Sequence, residues 1–315
     1  MNKKVRFFFK IGISCFFAGW VLFKVDLHQV FSSFKEINLS LYIASTVLAL
    51  VTSIILACKY CLLIRDTEIS HTVLSLTRIN LISRFYAMFL PSAIGRAAVR
   101  WYKVTRNLKG RALFAASIVF ERITFVFVLL IFSFIPLFLY SSRPAIESFR
   151  SQVLPVFIGS FVVVCLSFSY YVFSGLRALI NSMVARILSW QWKQEDTKAY
   201  LDGFSLNRPG PSLYVNILSL SFLFQVCFIL RLLLLFKGAA IPLTLLDVAW
   251  MGSLVLLLQV LPISFAGIGI REGAYAYLFT IFGLPPEKGV LIGILFFSQM
   301  LILAGTGGIL EMLEK

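Results

Sequence analysis

Apolar residues in this chain come in long unbroken runs, not at the three-and-four spacing of a soluble amphipathic helix or the strict alternation of a half-buried strand. The runs cover 7–23, 41–64, 113–140, 153–173, 213–236, about 245–262 and 289–310. Most are close to the roughly 20 residues that carry an α-helix across a hydrocarbon core, and none shows the roughly ten-residue alternation of a transmembrane β-strand. They predict seven crossings. Two more apolar segments, 79–95 and 263–284, are interrupted: the first by Pro91 and Gly95, the second by Gly267 and Gly269 after Pro262. Backbone broken in this way leaves N–H and C=O groups without partners, so at membrane depth it survives only when buried in protein or lining a cavity. The expected fold class is all-α: a polytopic helical membrane protein of about seven or eight transmembrane helices, with one or two re-entrant broken-helix segments.

Polar positions orient the spans. Segment 96–111 carries Arg96, Arg100, Lys103, Arg106, Lys109 and Arg111 with no acidic residue, which assigns it to the cytoplasmic side. With Lys3 and Lys4 also cytoplasmic and 7–23 read as a retained signal-anchor helix, two crossings bring the chain back inside at Arg65. Segment 79–95 must then dip and return on that side; the alternative, a full crossing, would place the basic loop outside unless the N-terminus is outside too. The chain leaves through 113–140 and returns through 153–173, and 174–212 forms a cytoplasmic amphipathic linker ending at the Pro-Gly-Pro of 209–211. Residues 1–315 read as one membrane domain, with a first half at 1–152 and a second at 213–315. Charge does not decide whether 263–284 dips or crosses. Leu90-Pro91 and Leu261-Pro262 stand 171 residues apart, each after an apolar span and before another, which suggests an internal repeat. Parallel and inverted versions both remain open.

Composition excludes the soluble classes. The chain is 59% hydrophobic and 14% charged, against about 45–50% and 25% for soluble domains. Its formal charge of +15 would suggest nucleic acid in a soluble protein; here the positive-inside rule accounts for it and no nucleic-acid partner is expected. The five cysteines fall in predicted spans and the two histidines, His28 and His71, in loops, so neither a disulfide framework, a metal site nor a cofactor is expected.

Ionisable residues at apparent membrane depth are Lys59, Glu121, Arg122, Arg231, Arg271 and Glu272. Each costs on the order of 2.5–3.5 kcal/mol at a helix centre. Lys59 and Arg231 lie five residues from a span end and are read as snorkelling to the headgroups. Glu121 lies about 12 Å into its span, beyond easy escape, and its neighbour Arg122 points about 100° away, so a cation from another segment, Arg271 or Arg100, is its expected partner. Four cations against two acids leave an excess that an anionic lipid phosphate would neutralise. Arginine suits phosphate through its planar fork, and glycines let a headgroup approach the backbone.

Leu261-Pro262-Ile263-Ser264 through Gly267-Ile268-Gly269-Ile270-Arg271-Glu272-Gly273, Phe120-Glu121-Arg122 opening a long span, the Pro91…Gly95…Arg100 loop and the glycines from Gly305 to Gly308 together resemble the lysylphosphatidylglycerol synthase transmembrane region, also called the flippase-like or UPF0104 family. The resemblance implies a stand-alone lipid translocase without the synthase domain of fused members. It also implies that Arg100, Glu121, Arg122, Arg271 and Glu272 match charged positions of the family pattern. Where members often carry an acid after the glycine of the first loop, this chain has Arg96 and Ala97.

These readings converge on a non-enzymatic cell-membrane protein, multi-pass with a cytoplasmic N-terminus, that moves an anionic phospholipid or polyprenyl-linked lipid between leaflets. The expected substrate-binding residues are Arg100, Glu121, Arg122, Arg271, Glu272, Gly267, Gly269, Pro91, Gly95 and Pro262; no catalytic or metal-binding residue is expected. A protein partner could dock on the basic loop 96–111, and a homo-oligomer is compatible with the chain. The alternatives are an intramembrane headgroup transferase, which Asp-rich metal motifs would have favoured, and an accessory subunit holding a glycosyltransferase or synthase.

Overall fold

A computed structural model describes residues 37–65, 71–88, 93–106, 111–139, 144–172, 211–260, 267 and 269–313. The expected signal-anchor helix at 7–23, residues 174–210 of the expected linker 174–212, Pro91 and Pro262 lie outside the described residues, and 211–212 belong to the helix that follows. Among those described, every regular element is helical: α1 (Leu39–Leu63), α2 (Val73–Ala87), α3 (Ala93–Thr105), α4 (Arg111–Leu139), α5 (Pro144–Val172), α6 (Pro211–Gly238), α7 (Leu245–Val260), α8 (Ile270–Ile281) and α9 (Pro286–Met312). The chain is a polytopic helical membrane protein.

Length separates two kinds of helix. α1, α4, α6 and α9 contain stretches of 21 to 27 residues that are apolar and long enough to cross a bilayer. The 15 residues of α2 and the 16 of α7 reach only about 22–24 Å, short of a hydrocarbon core about 30 Å thick. Each short helix is instead one arm of a hairpin. His71 Nε2, at the start of α2, lies 3.3 Å from the carbonyl oxygen of Val104 at the end of α3, so α2 and α3 share one open end. Likewise Phe279 and Phe282, at the end of α8, pack at a tilt against Phe236 near the end of α6 and Trp250 early in α7, at 5.8 and 5.7 Å between ring centres. α7 and α8 therefore share one open end as well, and the apolar run at 245–262, expected as a full crossing, holds only a short arm of 16 residues.

The two hairpins open at opposite ends of the bundle. α1 and α6 run antiparallel: Asn38 N–H donates to the Gly238 carbonyl at 2.9 Å, and two turns later Ser45 Oγ donates to the Arg231 carbonyl at 2.9 Å. α2–α3 follows the end of α1, here called the basic end, and α7–α8 follows the end of α6. The halves exchange their packing, with α2 against α9 and α7 against α4. A long helix, a short helix, a break, a short helix and a long helix thus occur twice in opposite orientation. The repeat is inverted, and the structure decides what charge could not.

Capping starts the elements where the chain turns. Asn38 accepts from Leu41 N–H, Thr72 from Ser75 N–H, and Thr244 and Asp247 cap α7 reciprocally through their side chains and backbone amides. α8 begins after Gly267 and Gly269, whose φ angles of 78° and 81° suit glycine. Among the described residues three hydrophobic clusters fill the bundle, one around Tyr60, Phe114 and Phe120 at the basic end, one around Phe236, Trp250 and Phe279 at the other, and a small one of Ala49, Leu81 and Leu303.

α9 touches both hairpins through glycine. A Cβ at Gly289 would lie 2.7 Å from the Tyr275 backbone in α8, one at Gly293 2.9 Å from the Glu272 side chain, and one at Gly307 would overlap the Leu81 carbonyl in α2. Small residues allow this approach, the commonest device of helix pairs in lipid. Gly305, two residues from Gly307, faces open space. Gly307→Ala should therefore cost about 1–3 kcal/mol, the usual penalty of overpacking, and lower the thermal unfolding midpoint in detergent by several degrees. Gly305→Ala should leave it unchanged; equal midpoints for the two variants would show that α2 does not press on α9 as described.

Candidate functional site

The interior of this apolar bundle is cationic. Lys59, Arg100, Arg231 and Arg271 are each at most 5% exposed, and Arg84 and Arg96 are partly buried between them. Burial of this kind is expensive for charge, so each group must find hydrogen bonds or counter-charge.

At the basic end the counter-charge is Glu121 in α4. Lys59 Nζ donates to Glu121 Oε1 at 2.8 Å and Tyr60 OH to Oε2 at 3.2 Å, both from the last two turns of α1. Arg100 reaches across from α3, donating through Nη1 to Tyr60 OH at 2.6 Å with its guanidinium 4.7 Å from the centre of the Tyr60 ring. The partner of Glu121 is thus Lys59, where Arg271 or Arg100 was expected, and Lys59 does not snorkel. The reason is tertiary: α4 and the first hairpin enclose the end of α1, so a position five residues from the helix end is interior. Arg84, in α2, donates through Nη2 to Ser53 Oγ at 3.0 Å. Arg96 heads the inward stripe Arg96, Arg100, Lys103 of α3 and feels the charges of Arg84, Arg100 and Arg122. The Nε atoms of Arg96 and Arg100 are buried without a hydrogen-bond partner among the described residues.

At the second hairpin Arg231 does not snorkel either. Its Nε and Nη2 both donate to Gln299 Oε1, at 2.9 and 2.7 Å, while Gln299 Nε2 donates to Ser45 Oγ at 2.9 Å. Arg271, in the first turn of α8, donates through Nε at 3.0 Å and through Nη2 to its own neighbour, Glu272 Oε1. Glu272 Oε2 accepts the Gly269 N–H at 2.7 Å, so this acid both caps the helix and clamps the arginine. The two guanidinium groups lie over the same ring, Phe296, at 4.2 and 5.4 Å. Arg271 Nη1 is buried and has no hydrogen-bond partner among the described residues.

The expected site residues therefore divide between two stations. Arg100 and Glu121 sit in the first, Arg271 and Glu272 in the second, with Gly267 and Gly269 shaping the turn before Arg271. Gly95 stands one residue before Arg96 in the first turn of α3. Arg122 is exposed on α4, its guanidinium 5.5 Å from the Phe125 ring, and marks the outer edge of the first station. Sequence reading missed Arg84 altogether, although Asn80 and Arg84 repeat at i and i+4 in a largely apolar helix, and it counted Arg96 only as loop charge. At the basic end a cavity of about 610 Å³ opens between α2, α3 and the end of α9, lined by His71, Tyr86, Tyr102, Lys103, Arg106 and Glu311. Lys103 continues the stripe of Arg96 and Arg100, so this cavity lies outward of the first station.

A family model described as the lysylphosphatidylglycerol synthase TM region matches residues 7–308. No curated protein and no solved structure gives a significant match.

The geometry makes Glu121 a clamp for Lys59. Removing one member of a buried pair leaves the other uncompensated, so Glu121→Ala should destabilise the protein by about 3–5 kcal/mol, whereas the apolar pair Lys59→Met with Glu121→Leu should recover most of that loss. Thermal unfolding of both variants in detergent checks this. A double variant no more stable than the single one would mean that Glu121 is held chiefly by something other than Lys59.

Proposed function

The chain belongs to the lysylphosphatidylglycerol synthase TM region family, and from that premise we propose that it moves an anionic, phosphate-bearing lipid between leaflets. One observation carries the reading. Arg84, Arg96 and Arg100 converge on the first hairpin, two of them with buried N–H groups pointing at no acceptor among the described residues, while the acid beside them, Glu121, is already taken by Lys59 and Tyr60. Buried donors left unsatisfied cost about 1–3 kcal/mol each, more for charged groups, which an incoming oxyanion would relieve. Phosphate is the oxyanion that best fits several forks at once.

Access supports a lipid over a free ion. Arg122 stands exposed on α4 within electrostatic range of Arg96, so positive charge runs from the flank of the bundle to its interior. A headgroup can follow that charge while its acyl chains stay in the bilayer. The cavity at the basic end adds Arg106 along a second approach, beside Lys103, which is paired with Glu311. By the positive-inside rule this end faces the cytoplasm.

Proteoliposomes carrying fluorescent phosphatidylglycerol, bleached from outside by dithionite, measure transfer directly. Wild-type protein should accelerate transfer of phosphatidylglycerol over phosphatidylcholine, and Arg84→Gln with Arg96→Gln should slow it about tenfold or more. Equal rates for the two lipids, or an unaffected double variant, would overturn the assignment.

A further inference from the structure

The two stations are physically joined. From Arg271 the guanidinium faces Phe296, which Arg231 also faces; Arg231 bonds Gln299, and Gln299 bonds Ser45 on α1. Eight residues further along α1, about 12 Å at 1.5 Å per residue, Ser53 accepts from Arg84. Across that gap Arg84 feels the charge of Arg231, and Arg231 in turn that of Arg271. Arg84 also interacts electrostatically with Arg96 and Arg100. A line of cations therefore runs from exposed Arg122 through the first hairpin, past the α1–α6 contact, to the second hairpin, and unsatisfied N–H groups occur at both of its ends.

The inverted repeat explains why the line is continuous. Pro91 and Pro262 are 171 residues apart, Arg100 and Arg271 are also 171 apart, and Lys59 and Arg231 are 172 apart. Two cations of the first station, Lys59 and Arg100, thus have counterparts in the second, Arg231 and Arg271, whereas Arg84 and Arg96 have none, and because the repeat is inverted the counterparts approach from opposite ends of the bundle. One binding station facing one side would not need this duplication.

We propose that Arg231 and Arg271 form a second phosphate station, opening to the end opposite the basic one, and that a phosphate group is handed to it from Arg84, Arg96 and Arg100. This rests on the reading of the first hairpin as a phosphate site and adds a path and an exit to it. Arg231 lets go of only one acceptor, Gln299, to take a phosphate oxygen, and Arg271 Nη1 has a donor already free. Glu272 keeps Arg271 oriented, and Phe296 holds both guanidinium planes without competing for their protons.

The test combines transfer and binding in the full chain. Arg231→Gln with Arg271→Gln is reconstituted in phosphatidylcholine vesicles holding fluorescent phosphatidylglycerol, and the same variant is examined by native mass spectrometry with phosphatidylglycerol. Transfer should fall about tenfold or more while a bound phosphatidylglycerol persists at the intact first station, and Arg231→Lys with Arg271→Lys should recover transfer to within about threefold of wild type. Wild-type rates in the glutamine pair would overturn the second station. So would loss of the bound lipid in that pair, or failure of the lysine pair to restore transfer although lipid remains bound. Radiolabelled inorganic phosphate in parallel vesicles separates the sources. If it alone crosses, and through Arg231 and Arg271, the handover stands with a soluble anion as cargo and the lipid reading fails. If wild-type protein moves neither, both fall.

Discussion

A cationic interior inside an apolar shell is the constraint on which the rest of this structure depends. Among the described residues Lys59, Arg84, Arg96, Arg100, Arg231 and Arg271 outnumber the carboxylates beside them, Glu121 and Glu272, and in a membrane each uncompensated charge is costly. Dispersing them in lipid is therefore excluded, and they must be enclosed by backbone and polar side chains. The α1–α6 pair provides the seam, contributing Ser45, Ser53 and a backbone carbonyl. The hairpins provide arms short enough to end inside the bundle, and α9 closes against both of them at glycine positions that bring backbones within contact. Fold and charge placement answer the same demand.

The carboxylates have duties that free the arginines. Glu121 neutralises Lys59 and fixes Tyr60, which then holds Arg100 by one nitrogen; Glu272 caps α8 and holds Arg271 by two. Each acid is thus saturated by structural bonds, and the donors left over point into the interior. A buried salt bridge rarely adds stability over an apolar pair. Here the pairs preorganise their neighbours, which is the property a binding site needs and a core does not.

Much of this was legible from one sequence because lipid simplifies the rules. Long apolar runs mark the long helices, although the one at 245–262 holds only a short arm, and the interrupted runs at 79–95 and 263–284 fall where the short helices pair. What one-dimensional reading misjudged were positions whose surroundings come from elsewhere in the chain. Five residues from a helix end is a snorkelling distance only if lipid lies beyond, and at Lys59 and Arg231 other helices do. Arg84 hid in a segment judged by its apolar neighbours. The register of the repeat held the missing signal: a shift of 171 or 172 residues superposes Arg100 on Arg271 and Lys59 on Arg231, which would have placed all four inside together.

The two stations are equivalent by position but not by charge. Lys59, Arg84, Arg96 and Arg100 against Glu121 leave three formal positive charges at the first; Arg231 and Arg271 against Glu272 leave one at the second. On the proposed path an anion is therefore held more tightly toward the basic end, and handing it on requires work. If that end faces the cytoplasm, the membrane potential acts in the opposite sense, because an inside-negative potential favours outward movement of an anion by about 2.3 kcal/mol per charge for each 100 mV. A charge gradient pulling inward along the protein and a potential pushing outward across the membrane would hold a phosphate between the stations with a small net bias, the condition for passage rather than trapping. No bound nucleotide is needed for such a balance, since the asymmetry of the repeat and the field across the bilayer supply both terms.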